Sequence, residues 1–329
     1  MDKIARLPAR DRMDLFMEAA SRKGILPAVI EKDFWVCFIL EKLFSPGPLS
    51  GQLLFKGGTS LSKVYGLIDR FSEDIDLVLK WDAITAEDPY TARSGRQQQV
   101  FLELQRRRAG EYVSRVILPL LSGKLGDICR LTQAHDNPCN VDVEYPESFT
   151  SGSLRRGILL EIGPVSSSFP NGSFPIQALA ADAFPRLFES PSFEVVAIVA
   201  ERTFWEKAVT LHREAHREHR TVPPRCSRHY YDVMKMARSE VRRKALNDPS
   251  LLVSVVDFVS RFYHQTWARY ELARPGSFKL IPSPEVARAH SADYEMMKDM
   301  IYRERPSFEE ILDELKSLES DINAIQAEG

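Results

Sequence analysis

The 329-residue chain has no run of about 18 consecutive apolar residues, which excludes a membrane-spanning helix. Its opening segment, MDKIARLPARDRMD, lacks the apolar stretch of a secretory signal, so a cytoplasmic location is expected. Cysteine is scarce. Cys37, Cys129, Cys139 and Cys226 lie far apart and none forms a C-x-x-C pair, which argues against a thiolate zinc site and against a disulfide framework. Internal repeats are absent. Net charge is also nearly absent: 44 Lys plus Arg stand against 46 Asp plus Glu, giving −2. With 44% hydrophobic and 27% charged residues, the chain is neither disordered nor fibrous, and its length suggests two domains.

The charge is unevenly placed. From Glu201 to Lys244 there are twelve basic and six acidic residues, with four of the seven histidines. From Glu285 onward there are twelve acids and five bases. A basic middle and an acidic tail suit a polyanionic ligand held centrally, although two solvated helix faces of opposite sign give the same pattern.

Periodicity divides the chain into an α/β part and a helical part. Ala28 to Phe44 reads as a helix with Ile30, Phe34, Phe38 and Ile39 on one stripe, ended by Ser45-Pro46-Gly47-Pro48. Leu53 to Phe55 reads as a short strand, and Ser60 to Ile68 as a helix. Asp74 to Leu79 alternates acid and apolar, the pattern of a half-buried strand. A polar loop follows at 87–99, then a helix over 100–121. Asn140–Tyr145 and Gly157–Ile162 read as two further strands. The Ser, Pro and Gly of 164–174 suggest a linker, and beyond Val195 the pattern is almost all helical. Ser307 and Glu310 form a capping-box pair ahead of an apolar stripe, Ile311, Leu315, Leu318, Ile322 and Ile325. The expected domains are 1–170 and 171–329.

The chemistry concentrates between Phe55 and Leu77. A strand runs into Gly57-Gly58, then Thr59-Ser60, then a helix. Glycines let a phosphate approach the backbone, and hydroxyls add donors. Asp74 and Asp76 sit at i and i+2 on a strand, so both carboxylates face one side. Two neighbouring carboxylates repel each other unless a cation lies between them, and all-oxygen ligands favour Mg²⁺ or Mn²⁺. A metal beside a phosphate cradle suits phosphoryl or nucleotidyl transfer.

At these residues the sequence resembles the AbiEii-type nucleotidyltransferase toxins of bacterial abortive-infection and toxin–antitoxin systems, within the DNA polymerase β-like superfamily. Ile30-Glu31-Lys32-Asp33-Phe34-Trp35 resembles the family's N-terminal helix, and Phe55 to Leu77 its first motif. Arg202-Thr203-Phe204-Trp205-Glu206-Lys207 and Arg228-His229-Tyr230-Tyr231-Asp232 resemble two later motifs. The resemblance implies an α+β fold. Its polymerase-β-like core is a mixed sheet flanked by helices, with a mostly helical C-terminal domain contributing Lys207 and Asp232 to the cleft. It further implies that Gly57, Gly58, Thr59 and Ser60 grip an NTP and that Asp74 and Asp76 bind Mg²⁺ or Mn²⁺. Glu161, a lone acid in an apolar run, is the first candidate for a third metal ligand, with Asp142 and Glu144 as rivals. Lys207 would bind phosphate, and Asp232 would orient a base or hold Lys207, with a helix–helix salt bridge between the two as the plain alternative. Arg202 and Arg228 are candidate phosphate contacts, with ordinary ion pairs as the plain alternative. The implied activity is transfer of NMP to an acceptor hydroxyl on RNA, such as the 3′ end of a tRNA. The protein would act as the toxin of a phage-defence pair whose antitoxin is encoded nearby. A non-catalytic nucleotide- or RNA-binding protein on the same fold is the alternative, and a metal nuclease a weaker one.

His212, His216 and His219 share one helix face at zinc-binding spacing, but no fourth ligand is evident, and a basic face toward nucleic acid or nucleotide is the favoured reading. Arg106-Arg107-Arg108 suits contact with an RNA backbone, with a solvated helix face the favoured reading.

Overall fold

The computed structural model describes residues 1–72, 74–149, 155–218 and 220–326. The chain forms two compact units. One comprises Met1–Val64 and Phe71–Ile198; the other comprises Tyr65–Arg70 and Val199–Gly329.

The first unit is built on a seven-stranded mixed sheet. In chain order it contains α1 (Asp2–Ala5), α2 (Ala9–Lys23), α3 (Pro27–Phe44), β1 (Leu53–Lys56), α4 (Gly57–Lys63), β2 (Asp74–Leu79), α5 (Gly95–Tyr112), a π-helical turn Val113–Ile117, α6 (Leu118–Leu125), β3 (Arg130–Gln133), β4 (Asn140–Glu144), β5 (Ile158–Gly163), β6 (Asn171–Gln177), α7 (Leu179–Ala183) and β7 (Ser192–Ile198). The strand order is β3-β4-β5-β2-β1-β7-β6. β2 lies parallel to β5 and antiparallel to β1, while β1 lies parallel to β7.

Period-two alternation gives the sheet two unlike faces. Leu53, Phe55, Ile75, Leu77, Leu79, Leu160 and Ile162 join the large core built around α3. That helix is buried nearly all round, which explains its weak amphipathic pattern. Proline opens it at the first turn, where a missing N–H costs nothing. Phe34 has no exposed surface and packs on Phe16, Trp35, Phe38 and Phe188. The opposite sheet face carries the acids. Toward its far end it is closed by a small separate cluster of Leu54, Val78 and Ile198.

The expected linker at 164–174 leads into β6 and β7, both strands of the sheet, so the sheet unit runs to Ile198 rather than ending near residue 170. The polar and Pro/Gly-containing residues of β6 suit an edge strand, which is why its sequence reads as a loop. The helix expected at 60–68 is α4, which begins earlier, at Gly57, and ends at Lys63. The helix expected over 100–121 is divided by the π-helical turn.

The second unit is helical: α8 (Ala200–Ala215), α9 (Arg228–Ala237), α10 (Glu240–Leu246), α11 (Pro249–Phe262), α12 (Pro284–Met296) and α13 (Phe308–Ala324). The capping box forms as expected. Glu310 N donates to Ser307 Oγ at 3.2 Å, and Ser307 N donates to Glu310 Oε2 at 2.6 Å. Ile311, Leu315, Leu318 and Ile322 are fully buried, so the stripe serves its own unit, where α13 packs on α9. The opposed charge blocks pair within this unit too: Glu314 accepts from Arg238 and Arg242, and Asp321 from Arg242.

Phe34→Ala removes a ring from the tightest part of the sheet unit's core. Chemical denaturation of the full chain should show a loss of about 3–5 kcal/mol in the transition that reports on this unit.

Candidate active site

Gly57 sits where β1 gives way to α4, with φ +77°, a conformation that glycine adopts without strain. A Cβ built at this position would lie 1.9 Å from Asp76 Oδ2 and 2.5 Å from Asp76 Cγ. The space a side chain would need is therefore filled by the carboxylate of the D-x-D strand. The glycine bend and the second aspartate are in direct contact.

Sheet register brings the other acids to the same place. In the parallel β2–β5 pair, Asp76 is opposite Glu161 and Asp74 opposite Leu159. Partners in register project to the same face, and adjacent strands lie about 4.8 Å apart. Asp74, Asp76 and Glu161 therefore share one face, with Glu161 one strand away from Asp76. Asp142 is opposite Leu159 on β4, a further strand out, and its carboxylate pairs with Arg155 at 2.5 Å. Glu144 lies farther along β4, where it is exposed. Glu161 is thus the nearest third acid to the pair. It is exposed rather than buried, since its strand has one covered face and one open one.

The hydroxyls that follow the glycines are engaged with backbone. Thr59 Oγ1 donates to the Asp74 carbonyl at 2.5 Å, stitching α4 to the start of β2. Ser60, fully buried, donates to the Gly57 carbonyl at 3.0 Å and holds the bend. Gly58 is buried beside them. The far end of α4 is also fixed: Lys63 Nζ meets Asp33 Oδ1 at 2.5 Å, and Asp33 Oδ2 accepts from Leu179 N at 2.6 Å. Both charges are nearly buried. Burial lowers the lysine's affinity for its proton, but Asp33 outweighs it and holds Lys63 above its ordinary range. The neighbouring charges of α3 are structural as well. The Glu31 carboxylate accepts from the backbone N–H groups of Ser148 and Phe149, and Lys32 donates to the Arg155 carbonyl.

Lys56 is a residue that motif reading passes over. It is opposite Asp76 in the antiparallel β1–β2 pair, on the acid-bearing face, and its ammonium donates to Ser166 Oγ at 2.9 Å. Antiparallel partners stand about 4.5–5.5 Å apart at Cβ, so Lys56 neighbours Asp76 in the sheet while its ammonium rests on Ser166. The signal was available: a Lys ends the strand that must pair with the D-x-D strand.

The helical unit holds a buried ionic cluster of its own. Asp232 has no exposed surface. Arg70 grips it at both oxygens, Nε to Oδ1 at 2.6 Å and an Nη to Oδ2 at 2.8 Å, and Lys207 Nζ lies 2.8 Å from Oδ2. Burial alone would raise the Asp232 pKa, but Arg70 and Lys207 overcome it and hold the carboxyl well below the usual range. Lys207 is pulled down, chiefly by burial and in part by Arg70 and Arg228, with Asp232 opposing. Burial, together with Lys207 and Arg228, keeps His229 neutral, and its Nδ1 lies 3.5 Å from Lys207 Nζ.

The two candidate arginines differ. Arg202 is 1% exposed, with Nε at 3.0 Å from Glu206 and an Nη at 3.3 Å from Ser254 Oγ, so it belongs to the interior of its unit. Arg228 is half-buried beside Lys207 and His229. Arg70 was missed because it precedes the acidic motif and reads as a loop residue. The histidine triplet does not hold as a ligand set: Lys279 N donates to His212 Nδ1 at 3.1 Å, and Nε2 lies 3.1 Å from the Arg269 carbonyl, so both nitrogens are taken. His219 lies outside the described residues.

A family profile described as "Nucleotidyl transferase AbiEii toxin, Type IV TA system" matches residues 39–314. Among solved structures, the chain is similar to the nucleotidyltransferase toxin MenT4 of Mycobacterium tuberculosis H37Rv. The TM-score is 0.54 at 16% identity, over 96% of this chain and 90% of that one. At that identity the likeness is one of fold: an α+β architecture with a mixed sheet and many helices. Comparison with curated proteins gives no match.

Two substitutions test this geometry. Gly57→Ala forces a methyl into the space of the Asp76 carboxylate and strains φ; the variant should lose stability, read as a lowered thermal midpoint, while Gly24→Ala, at a positive φ with open space around it, should lose less. Asp232→Asn leaves two cations buried beside a neutral amide and should cost about 3–5 kcal/mol at neutral pH. Because the folded-state pKa of Asp232 is depressed, its contribution is fully present above about pH 4 and is lost as pH falls below that. The gap between wild type and Asp232→Asn in unfolding free energy should therefore narrow in acid.

Proposed function

Because this chain belongs to the nucleotidyl transferase AbiEii toxin family of type IV toxin–antitoxin systems, we propose that it transfers a nucleoside monophosphate from an NTP to an acceptor hydroxyl on RNA, such as a tRNA 3′ end. The observation that carries this reading is the contact between Gly57 and Asp76, with Asp74 and Glu161 on the same sheet face. A bend without a side chain, closed against a carboxylate pair, suits a triphosphate brought up to a cation site.

The donors on this face are carboxylate oxygens, a set that fits Mg²⁺ or Mn²⁺, and Asp74, Asp76 and Glu161 would hold such an ion. When bound, it neutralises triphosphate charge and makes the acceptor hydroxyl a better nucleophile. The chain's own residues do the positioning. Gly57 and Gly58 present backbone to the phosphates, while Thr59 and Ser60 keep the bend and the D-x-D strand in register. Lys56 balances charge beside Asp76. Lys207 supplies a point charge to phosphate, and Asp232 with Arg70 fixes its position. Arg228 is a further phosphate contact, and Arg202 supports the helix that carries Lys207. The protein acts as the toxin of a cytoplasmic phage-defence pair whose antitoxin is encoded nearby.

Incubation of the full chain with each labelled NTP, Mg²⁺ and total RNA should label RNA with one or more nucleotides. Asp74→Ala and Asp76→Asn should lower labelling by roughly a hundredfold or more at unchanged thermal stability. Full labelling by either variant would remove that residue from the reaction. Nucleotide binding with no turnover on any RNA would point to a binding protein instead.

A further inference from the structure

The helical unit contains a cluster of ligating side chains that the transfer reaction does not use. Glu214 lies in the last turn of α8, Cys226 just ahead of α9, and His290 in α12. One ligand atom from each falls within 4.8 Å of the others. Glu214 and His290 have no exposed surface, and Cys226 is 6% exposed. Among the described residues, neither ring nitrogen of His290 has a hydrogen-bond partner, nor does the buried hydroxyl of Tyr230, whose ring lies tilted against that of His290 with centroids 4.6 Å apart. A buried imidazole with neither nitrogen satisfied is costly and calls for an occupant.

The spacing favours an ion over a direct bond. His290 Nε2 is 3.8 Å from Glu214 Oε2, too far for a hydrogen bond. Two ligands each about 2.0–2.3 Å from a tetrahedral zinc stand roughly 3.3–3.8 Å apart. Arg213 and Arg217 hold the Glu214 carboxylate in place, as outer partners of a metal ligand do. They also neutralise much of its charge, so affinity rests mainly on Cys226 and His290.

We propose that Glu214, Cys226 and His290 form a structural zinc-type site. A sulfur, nitrogen and oxygen donor set suits zinc rather than magnesium. As the metal–sulfur bond forms, the Cys226 thiol releases its proton to solvent. A water or the Tyr230 hydroxyl takes the fourth position. The ion ties the stretch from Arg225 to Ser227 to α8 and α12. That segment is already docked at one point, since Arg225 N and Ser227 N donate to Asp293 of α12 at 2.6 and 2.8 Å.

The test uses the full chain purified without chelator, with metal content by mass spectrometry and titration of metal-free protein with Co²⁺. The expected result is about one zinc per chain and, with Co²⁺, a thiolate charge-transfer band with tetrahedral visible absorption. Cys226→Ser should abolish the charge-transfer band and His290→Phe should weaken binding at least tenfold. A chain carrying both Asp74→Ala and Asp76→Asn should bind as the wild type does. Wild-type protein that takes up neither metal overturns the proposal, and so does a Cys226→Ser variant, folded by circular dichroism, that keeps the band.

Discussion

One close contact governs the sheet unit: Asp76 occupies the volume where residue 57 would carry a side chain. Residue 57 must therefore be glycine, and its left-handed backbone then sets the angle at which β1 becomes α4. Thr59 and Ser60 secure that angle through backbone carbonyls, and Lys63 secures the other end of α4 against Asp33. The D-x-D spacing follows from the pleat, because only alternate residues of β2 reach the face that Gly57 leaves open.

Much of this was legible in the sequence. The strand, double glycine, helix and acid-bearing strand were found in the right order, because hydrophobic period and glycine placement are local signals. The capping box and the apolar stripe of α13 were found for the same reason. The missed features depend on pairing between distant segments. β6 reads as a linker, since an edge strand needs little apolar character, yet it and β7 extend the sheet unit by two strands. The place of Glu161 beside Asp76 follows from β2–β5 register, which no local pattern encodes. The exposure of Glu161 was not legible either, because an apolar run does not say which face of a sheet is covered. Arg70 and Lys56 gain their meaning only from partners far along the chain. Arg202 matches a motif position but is buried within its own unit.

The acid-bearing face of the sheet and the interior of the helical unit hold charge differently. In the sheet unit, strand register sets three acids on one partly open face, Asp74 and Asp76 of β2 and Glu161 of β5. In the helical unit, charges are buried and matched: Asp232 by Arg70 and Lys207, and Glu214 by Arg213 and Arg217. The basic and acidic blocks of the sequence largely serve that internal matching, through Arg238 and Arg242 against α13. Such networks resist the removal of one member more strongly than they stabilise the whole.

The path of the backbone carries a further consequence. The chain leaves the sheet unit after Val64, contributes Tyr65–Arg70 to the helical unit, and returns at Phe71. The halves are therefore not detachable modules. A gene fragment starting at Val199 would encode helices that lack the guanidinium Asp232 requires, and a fragment stopping there would keep six residues with nothing to pack on. Separate expression of the two halves on either side of that junction therefore yields two incomplete pieces.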